Sequence, residues 1–559
     1  MTQGRHPQQH YSGHRIIIAV ILCLFGLSIV QSMPPVKKPR QRRPVTTDKR
    51  VYLVHADMLK YDQYQNRDAQ VLSGHVQFKH MGARLLCDSA HFYEASNSFE
   101  AFGHVKMYQG DTLSLFSDYA WYDGNDMLAR ARYNVVLKHR KSTLYTDSLD
   151  YDRMYNLGYF FEGGKLVDEG SVLTSDWGEY HTDTKMSLFA YDVRLKNKDF
   201  YLTTDSLYYN TQTSMAHIVG PSDITSGSSR IYSEDGYYDT KGDHAQLFGR
   251  SVMRDKGRTL VGDSVFYNGT SGMSYARWNV IYTDSVNQNM LTGDYCEYDE
   301  ATGYAMATDR AVAIDYSQRD SLWMHADTFK VYTFNINTDS VYRRIHAYNK
   351  VRAYRRDVQA VCDSLVYNQL DSCMTMYRDP IVWNNNQQIL GEEIRIYMRD
   401  STIERAHVLG QALSIEQMFD SIHFNQLTSK EMKAFFRKGE IYEADAIGNA
   451  IVIYHMIDDA DSTFIAHNYT ESPLIKMYLA NRKMKRLWFE KPTGNMYPMT
   501  QIPPSKKQLP NFAWFDYIRP LSKEDIFNWR GKRVEQQLKV VKRRQAPVQT
   551  ISSQSTAHE

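Results

Sequence analysis

Residues 85–93 read LLCDSAHFY, a pattern in which an acidic residue is followed two positions later by an apolar residue and four positions later by an aromatic one. The aromatic residue is usually Tyr. Twelve copies begin at Asp57, Asp88, Asp118, Asp147, Asp176, Asp205, Glu234, Asp263, Asp294, Asp327, Asp363 and Glu392, with successive differences of 31, 30, 29, 29, 29, 29, 29, 31, 33, 36 and 29. This regularity predicts a repeat array, in which each unit stacks on its neighbours to bury a shared core.

Each repeat is expected to form a strand, a tight turn and a second strand. The turns are short and polar, as in Ala95-Ser96-Asn97-Ser98, and an apolar stretch then follows Gly or Asn, as in Phe102-Gly103-His104-Val105. Because side chains alternate along a strand, the acidic, apolar and Tyr positions are expected on one apolar face and the intervening polar residues on the other. We therefore predict an all-β fold, an elongated antiparallel β-jelly-roll or solenoid of two-strand repeats of about 29 residues with an open apolar groove.

The repeated acidic residues allow two interpretations. A carboxylate at the beginning of a strand commonly accepts hydrogen bonds from backbone N–H groups of the adjoining turn, and this role is the one we expect. A ladder of cation sites is the alternative, but it requires compensation between like charges at strand spacing.

Composition narrows the class of protein. The 559 residues carry 66 Lys plus Arg against 64 Asp plus Glu, a net charge of +2 that argues against a nucleic-acid binder. A mean hydropathy of -0.54 excludes a polytopic helical membrane protein. Tyr is in excess, at 41 residues against 23 Phe, which favours half-buried β-structure.

The two ends differ from the repeats. Residues 1–32 contain one apolar run, 16–30, and are expected to form a signal peptide or an uncleaved N-terminal anchor. Residues 33–50 are a basic, Pro-rich linker, and residues 501–559 are a Pro-rich and then basic tail, which we expect to be extended and solvated.

Between these ends we expect repeats over 51–300 and a divergent continuation of the array over 301–500. Thr428 and Glu431 resemble a helix capping box, apolar residues follow at helical spacing, and Gly439 comes next, so a short helix is predicted over 428–438.

The sequence contains no convincing catalytic, cofactor or metal motif. Gly262-Asp263-Ser264 resembles the nucleophile turn of a hydrolase, but the same Asp-Ser pair recurs in other repeats. Cys362 and Cys373 are expected to be unpaired apolar side chains within strands, although export would allow them to pair. We therefore predict a protein that is not an enzyme and has no cofactor.

Three sequence segments in the early repeats resemble those of a known protein family. Val71-Leu72-Ser73-Gly74-His75-Val76 is followed by Leu85-Leu86-Cys87-Asp88-Ser89-Ala90-His91-Phe92-Tyr93 and by Phe99-Glu100-Ala101-Phe102-Gly103-His104-Val105. This succession resembles the OstA/LptA family of lipopolysaccharide-transport proteins, most clearly over residues 51–300. The array is longer than a typical periplasmic bridge subunit, and we expect no counterpart of the C-terminal barrel of the outer-membrane member in this sequence.

The resemblance implies a periplasmic carrier that shields the acyl chains of lipopolysaccharide, or of a related lipid, in an apolar groove during outer-membrane assembly. It implies a protein of a Gram-negative periplasm, either anchored to the inner membrane or associated with the outer membrane. Its partners would be other transport components that dock on edge strands and further copies of the chain stacked end to end, with no nucleic acid.

Position by position, the resemblance gives ten lipid-groove candidates: Phe92, Tyr122, Leu149, Tyr151, Leu207, Tyr209, Val265, Tyr267, Leu365 and Tyr367. Ordinary core packing is the competing interpretation for each of them. The corresponding alternative function is an exported structural or adhesive β-solenoid with a filled core and no lipid cargo.

Overall fold

The computed structural model describes residues 49–61, 68–198, 200–336, 338–399, 402–458, 461–480 and 483–532. The predicted signal peptide and almost all of the basic linker lie outside these residues. The described strands belong to one compact unit that begins at Arg50. They are joined in a single sheet of 38 strands, in which every pairing is antiparallel, so the all-β antiparallel prediction is confirmed.

The strands have the following bounds: β1 Tyr52–His55, β2 Met58–Tyr61, β3 Gln70–His80, β4 Ala83–Tyr93, β5 Ser98–Gln109, β6 Leu113–Asp123, β7 Leu128–His139, β8 Ser142–Asp152, β9 Leu157–Phe160, β10 Gly164–Asp168, β11 Ser171–Ser175, β12 Trp177–His181, β13 Met186–Lys196, β14 Tyr201–Asn210, β15 Met215–Ser226, β16 Ser229–Asp239, β17 His244–Asp255, β18 Arg258–Asn268, β19 Met273–Asp284 and β20 Asn289–Asp299. They continue as β21 Tyr304–Thr308, β22 Val312–Asp315, β23 Leu322–His325, β24 Thr328–Phe334, β25 Tyr342–Tyr348, β26 Val351–Tyr354, β27 Val358–Cys362, β28 Ser364–Asn368, β29 Cys373–Tyr377, β30 Ile381–Asn384, β31 Gln387–Leu390, β32 Glu393–Arg399, β33 Thr402–Gln417, β34 Phe424–Arg437, β35 Glu440–Ile457, β36 Phe464–Ala480, β37 Lys483–Phe489 and β38 Thr493–Tyr497. Four short 3₁₀ helices follow at Met499–Gln501, Pro504–Lys506, Asp516–Ile518 and Asp525–Phe527. Within the described ranges no helix has the length and apolar character needed to cross a membrane.

The sheet is folded into two walls. Most long strands contain a shift in pairing register at mid-length, and the half before the shift belongs to one wall and the half after it to the other. In β4 the shift lies between Leu86 and Ser89. The first wall contains residues 89–93, 98–102 and their equivalents, and the second contains 83–87, 105–109 and their equivalents. Over residues 304–399 the two walls have strands of their own. There β21, β24, β25, β28, β29 and β32 form the first wall, and β22, β23, β26, β27, β30 and β31 form the second.

A β-bulge forms the corner between the walls wherever one strand runs through both of them. The Gly or Asn positions that we expected at the beginning of a strand lie here, inside longer strands, in pairs of residues with positive φ. Such pairs are Gly74/His75, Gly103/His104, Tyr133/Asn134, Gly249/Arg250 and Trp278/Asn279, and Asn349/Lys350 is the equivalent pair in the link between β25 and β26. The polar segments are the true turns, and Asn97 adopts the expected positive φ of 57°.

The bulge corrects the predicted position of the acidic residues. Asp88 is exposed, whereas Cys87, Ala90 and Phe92 are buried, because the extra residue at the corner shifts the alternation by one. The carboxylates bond the bulge of a neighbouring strand, as when the Asn134 backbone N–H donates to Asp147 Oδ1 at 3.2 Å. The expected hydrogen-bonding role is thus seen at the corner. In the described part of the chain, no group of three or more His, Cys, Asp or Glu is placed to hold a metal ion.

The predicted helix over 428–438 is wrong, because these residues lie in β34, paired with β33 and β35. Two register shifts within β34 interrupt the period of two and leave apolar residues at spacings that resemble a helix. The Thr428 hydroxyl donates to the Ala412 carbonyl rather than capping a helix. Gly439 does end the element, with a φ of +78° in the turn before β35.

The first part of the tail is not solvated. Residues 499–532, the C-terminal strap, cover the outer face of the second wall, and Leu509, Phe515 and Ile526 of the strap are buried. The Gln388 side chain donates to the Ala513 carbonyl and accepts from the Phe515 N–H, both at 2.7 Å. The prolines of the tail predicted a segment without regular strands or long helices, as observed. The apolar residues of the strap, however, hold it against the sheet. Residues 533–559 lie outside the described part.

Candidate functional site

The inner faces of the two walls form a continuous apolar surface. From Leu72 to Val280 its buried side chains make one hydrophobic cluster, and a second cluster continues it from Ala307 to Ala412. The walls are joined at the corner of bulges, and their hairpin turns lie along the opposite margin. We call this margin the mouth.

Polar side chains join the two walls across the mouth in the first half of the array. Tyr122 OH lies 2.7 Å from His80 Nδ1, Tyr180 OH lies 2.7 Å from His139 Nδ1, and the Tyr209 hydroxyl donates to Asp168 at 3.0 Å. In each pair the Tyr stands in the first wall and its partner in the second. The walls are therefore closed over residues 72–209, which we call the closed part.

Two basic side chains extend this polar margin. The Arg153 guanidinium donates to Tyr122 OH at 2.6 Å, to the Met81 carbonyl at 3.1 Å and to Gln109 Oε1 at 3.1 Å. Further along, Lys241 Nζ lies 2.5 Å from Glu169 Oε2. Both basic residues follow a strand of the first wall, and their contacts with Met81, Gln109 and Glu169 of the second wall span the mouth.

Burial determines the protonation states at the mouth. It lowers the pKa of His139 to about 4, with smaller contributions from Lys185 and Arg140. It also raises the pKa of Tyr209 to about 12, and the nearby Asp168 adds to this shift. At neutral pH His139 is consequently neutral and the Tyr209 hydroxyl keeps its proton.

The interior of the closed part is tightly packed. Six of the predicted groove residues lie here, and their side chains are 0 to 6% exposed: Phe92, Tyr122, Leu149, Tyr151, Leu207 and Tyr209. A cavity lined by Leu137, Phe160 and Phe189 has a volume of about 10 Å³, room for a single water molecule.

The groove is wider beyond the closed part. Residues near the mouth at equivalent positions of later repeats are half-buried: Ile224, Ile231, Tyr238, Met253, Leu260 and Tyr267. Residues near the corner remain buried, including the predicted groove residue Val265. Residues 224–300, the open part, thus form a groove with an apolar floor and partly exposed apolar sides.

The same contrast continues in the second cluster. Leu365 is buried at the floor, whereas Tyr367, Leu322 and Met324 are half-buried towards the mouth. Of the ten predicted groove residues, Tyr267 and Tyr367 are therefore those with partly exposed side chains. Whether any of the ten contacts lipid stays a prediction.

The mouth residues were not among the predicted site residues, although the sequence carries a signal for them. His80, Gln109, His139 and Asp168 end the second-wall strands of successive repeats at spacings of 29, 30 and 29 residues. Each observed Tyr partner lies 41 or 42 residues further along. A second periodic search, for polar residues directly before the turns of two or three residues, would have found them.

Comparison with known proteins agrees with the resemblance noted in the sequence. The family described as OstA-like protein matches residues 48–205, which confirms the predicted family resemblance over that stretch. No curated protein matches the sequence. The matched region covers the closed part almost to its end, and the open part lies beyond it.

Proposed function

We propose that this protein is a periplasmic lipid carrier in lipopolysaccharide transport and outer-membrane assembly, in which the groove between the two walls holds acyl chains. The observation that carries the proposal is the open part, where apolar side chains from both walls are half-buried around a buried floor. The match of residues 48–205 to OstA-like proteins supports it, because that family is associated with lipopolysaccharide transport.

The chemistry of the groove suits hydrocarbon. Each CH₂ group of an acyl chain that leaves water for an apolar surface gains about 0.8 kcal/mol. Leu260 and Met253 of the second wall and Tyr267 of the first offer such surface, and the charged residues next to Met253 and Leu260 on the inner face, Asp255 and Arg258, lie at the mouth. The proposal assigns no catalytic role to any residue.

The proposed partners and location follow from the same family. The acyl chains would belong to lipopolysaccharide or a related lipid, and the protein would act in the periplasm of a Gram-negative cell, held at the inner membrane or associated with the outer membrane. Among the described strands, β1 and β2 pair with β3 alone, and Met58 and Leu59 are exposed. This edge is the proposed docking place for another transport component or a second copy.

Site-specific photocrosslinking tests the proposal. A photoreactive amino acid would replace Leu260 or Tyr267 on the inner face, and Val261 or Phe266 as adjacent outward-facing controls in the same strand. In cells that make lipopolysaccharide, we expect lipid A adducts from the inner positions and at least tenfold less from the controls. Equal labelling from both faces, or none from the inner positions in a folded protein, would overturn the proposal.

A structural role with a filled core is the second candidate. The tight packing from Leu72 to Tyr209 favours it, because this part leaves no room for an acyl chain in the closed arrangement. Protein purified from membranes in mild detergent distinguishes the two functions, since a carrier would bring lipid A species with it and a filled solenoid would not.

A further inference from the structure

The outer face of the second wall carries a row of basic residues. Residues directly opposite each other in neighbouring strands share a face, so the strand register defines the row. From β3 to β17 it runs Lys79, Arg84, Tyr108, Ser114, Lys138, Thr143, Val167, Val172, Lys196, Tyr201, Thr225, Arg230 and Arg254. We call it the basic row. It contains Lys or Arg in six strands and no Asp or Glu.

Like charges are placed directly opposite each other at both ends of the row. Lys79 pairs with Arg84 across β3 and β4, and Arg230 pairs with Arg254 across β16 and β17. Such cross-strand pairs are destabilising. All six basic side chains of the row are exposed, and none of them forms an ion pair with a described residue.

On the outer face of the first wall, by contrast, basic side chains are paired with acidic ones. Arg130 stands directly opposite Asp150, and Arg132 Nη1 lies 2.8 Å from the same carboxylate. His91 and Glu100 are also opposite each other, at 3.5 Å. The fold therefore pairs these charges on the outer face of the first wall and leaves the six of the basic row unpaired, whereas Arg194 beside the row pairs with Asp192 at 2.7 Å.

Aromatic side chains accompany the basic row. Tyr108 and Tyr201 of the row are 38% and 40% exposed, and Tyr145 beside it is 45% exposed. Lys138 Nζ lies 5.6 Å from the centre of the Phe116 ring, which packs edge-on against Tyr108. Such rings offer flat apolar surface with a polar tip, which suits a ligand with both apolar and hydroxyl-bearing faces.

The charge and the twist of the row indicate the kind of ligand. Thirteen strands at about 4.8 Å span roughly 58 Å. Neighbouring strands rotate by about 20° on average, so a flat membrane surface would contact only part of the row, whereas a flexible chain can follow all of it. The chain's own ends are not complementary, because residues 33–50 and 533–559 are themselves basic.

We propose that the basic row binds an anionic polysaccharide, with Lys and Arg facing its acidic groups and the exposed Tyr rings packing against its sugar rings. This goes beyond the lipid-carrier proposal, because the row lies on the outer face and shares no side chain with the groove. The polysaccharide-binding test can therefore fail while the crosslinking of Leu260 succeeds, and the crosslinking can fail while polysaccharide binding succeeds.

Binding of fluorescent polygalacturonate to the full chain tests the proposal, with neutral dextran of the same length as the comparison ligand. We expect polygalacturonate to bind at least tenfold more tightly than dextran at 50 mM salt, and the affinity to fall at least tenfold by 500 mM salt. Replacement of four row residues, Lys138→Gln, Lys196→Gln, Arg230→Gln and Arg254→Gln, is expected to weaken binding at least tenfold.

A matched control separates the row from net charge. Lys438→Gln, Lys485→Gln, Lys491→Gln and Lys507→Gln remove the same charge from exposed positions outside the row, and this variant should bind within twofold of the wild type. Equal weakening by both variants, or equal binding of dextran, would overturn the proposal. So would tight binding to vesicles containing 30% phosphatidylglycerol without binding to polygalacturonate, which would indicate a membrane surface instead. Should the row variant fail to fold, the single change Arg230→Gln and the salt titration of the wild type decide the question.

Discussion

The Tyr209 hydroxyl donates a hydrogen bond of 3.0 Å to Asp168 across the mouth, and the Ser142 hydroxyl donates to the same carboxylate at 2.7 Å. Asp168 is only 3% exposed, so these two donors take the place of water around its carboxylate. The repeat Tyr thus combines two roles, since its ring packs between the walls and its hydroxyl joins them. For Tyr122, Tyr180 and Tyr209 this dual role explains why the repeated aromatic position holds Tyr and not Phe.

We predict that Tyr209→Phe lowers the free energy of unfolding by about 2 kcal/mol. The ring is kept, but the buried carboxylate loses one of its two donors, and hydrogen bonds to charged groups are worth about 1.5–3 kcal/mol. Urea unfolding followed by circular dichroism measures the change. The adjacent residue provides the control, because Tyr208 is 39% exposed and Tyr208→Phe should cost less than about 0.5 kcal/mol. A similar loss from both variants would contradict the assignment of the two faces.

The buried histidine at the mouth makes stability depend on pH. Burial holds the pKa of His139 at about 4, below the usual 6.5, so the folded protein binds fewer protons than the unfolded chain between these values. Its stabilising contribution is therefore complete above pH 6.5 and is lost as the pH falls towards 4. We expect the urea midpoint to fall over this window and to fall less steeply in His139→Gln, which cannot titrate.

Exposed His244 provides the control for this measurement. His244→Gln should leave the slope of the wild type unchanged. The carboxylates with lowered pKa values lose their contribution only as the pH falls below their usual pKa, 3.8 for Asp525 and 4.5 for Glu169, at the lower end of the histidine window. An unchanged slope in His139→Gln would show that this histidine does not titrate with unfolding.

The repeat and its strands could be predicted because one short pattern recurs at nearly constant spacing. The corner between the walls could not be predicted in the same way. A bulge such as Gly103/His104 has the residue types of a turn, although it lies inside a strand. The false helix at 428–438 has the same cause, because bulges break the alternation on which strand prediction depends.

The groove could be predicted only in part. Alternation places Phe92 and Tyr267 on the same inner face, and the structure agrees. Alternation does not predict that Phe92 is buried and Tyr267 half-buried, because that difference depends on the distance between the two walls. The C-terminal strap was missed for a related reason, since its backbone is bound by Gln388 and Gln426, which lie 125 and 83 residues earlier in the chain.

A pair of glycines tests the corner. Gly103 has a φ of +72°, and a Cβ there would lie 2.5 Å from Asp88 Oδ2, whereas Gly110 has a φ of +62° in a turn and a Cβ there would meet nothing within 4 Å. Gly110→Ala should cost about 1 kcal/mol for its backbone conformation alone. Gly103→Ala should cost at least about 2 kcal/mol, because the carboxylate must also move. Equal losses in urea unfolding would mean that Asp88 is not fixed at the bulge.

The strap offers a test with two adjacent glutamines of β31. Gln388 is fully buried and satisfies the Ala513 carbonyl and the Phe515 N–H, whereas Gln387 is exposed. Gln388→Leu leaves two buried backbone groups without a partner, each worth about 1–3 kcal/mol, so the strap should detach far more often. Limited trypsin digestion would then cut at Arg519 or Lys523 at least tenfold faster than in the wild type, while Gln387→Leu should be cut at the wild-type rate. Fast cleavage of the wild type at these two positions would contradict the packing of the strap on the second wall, and equal rates for the two variants would show that Gln388 does not hold it.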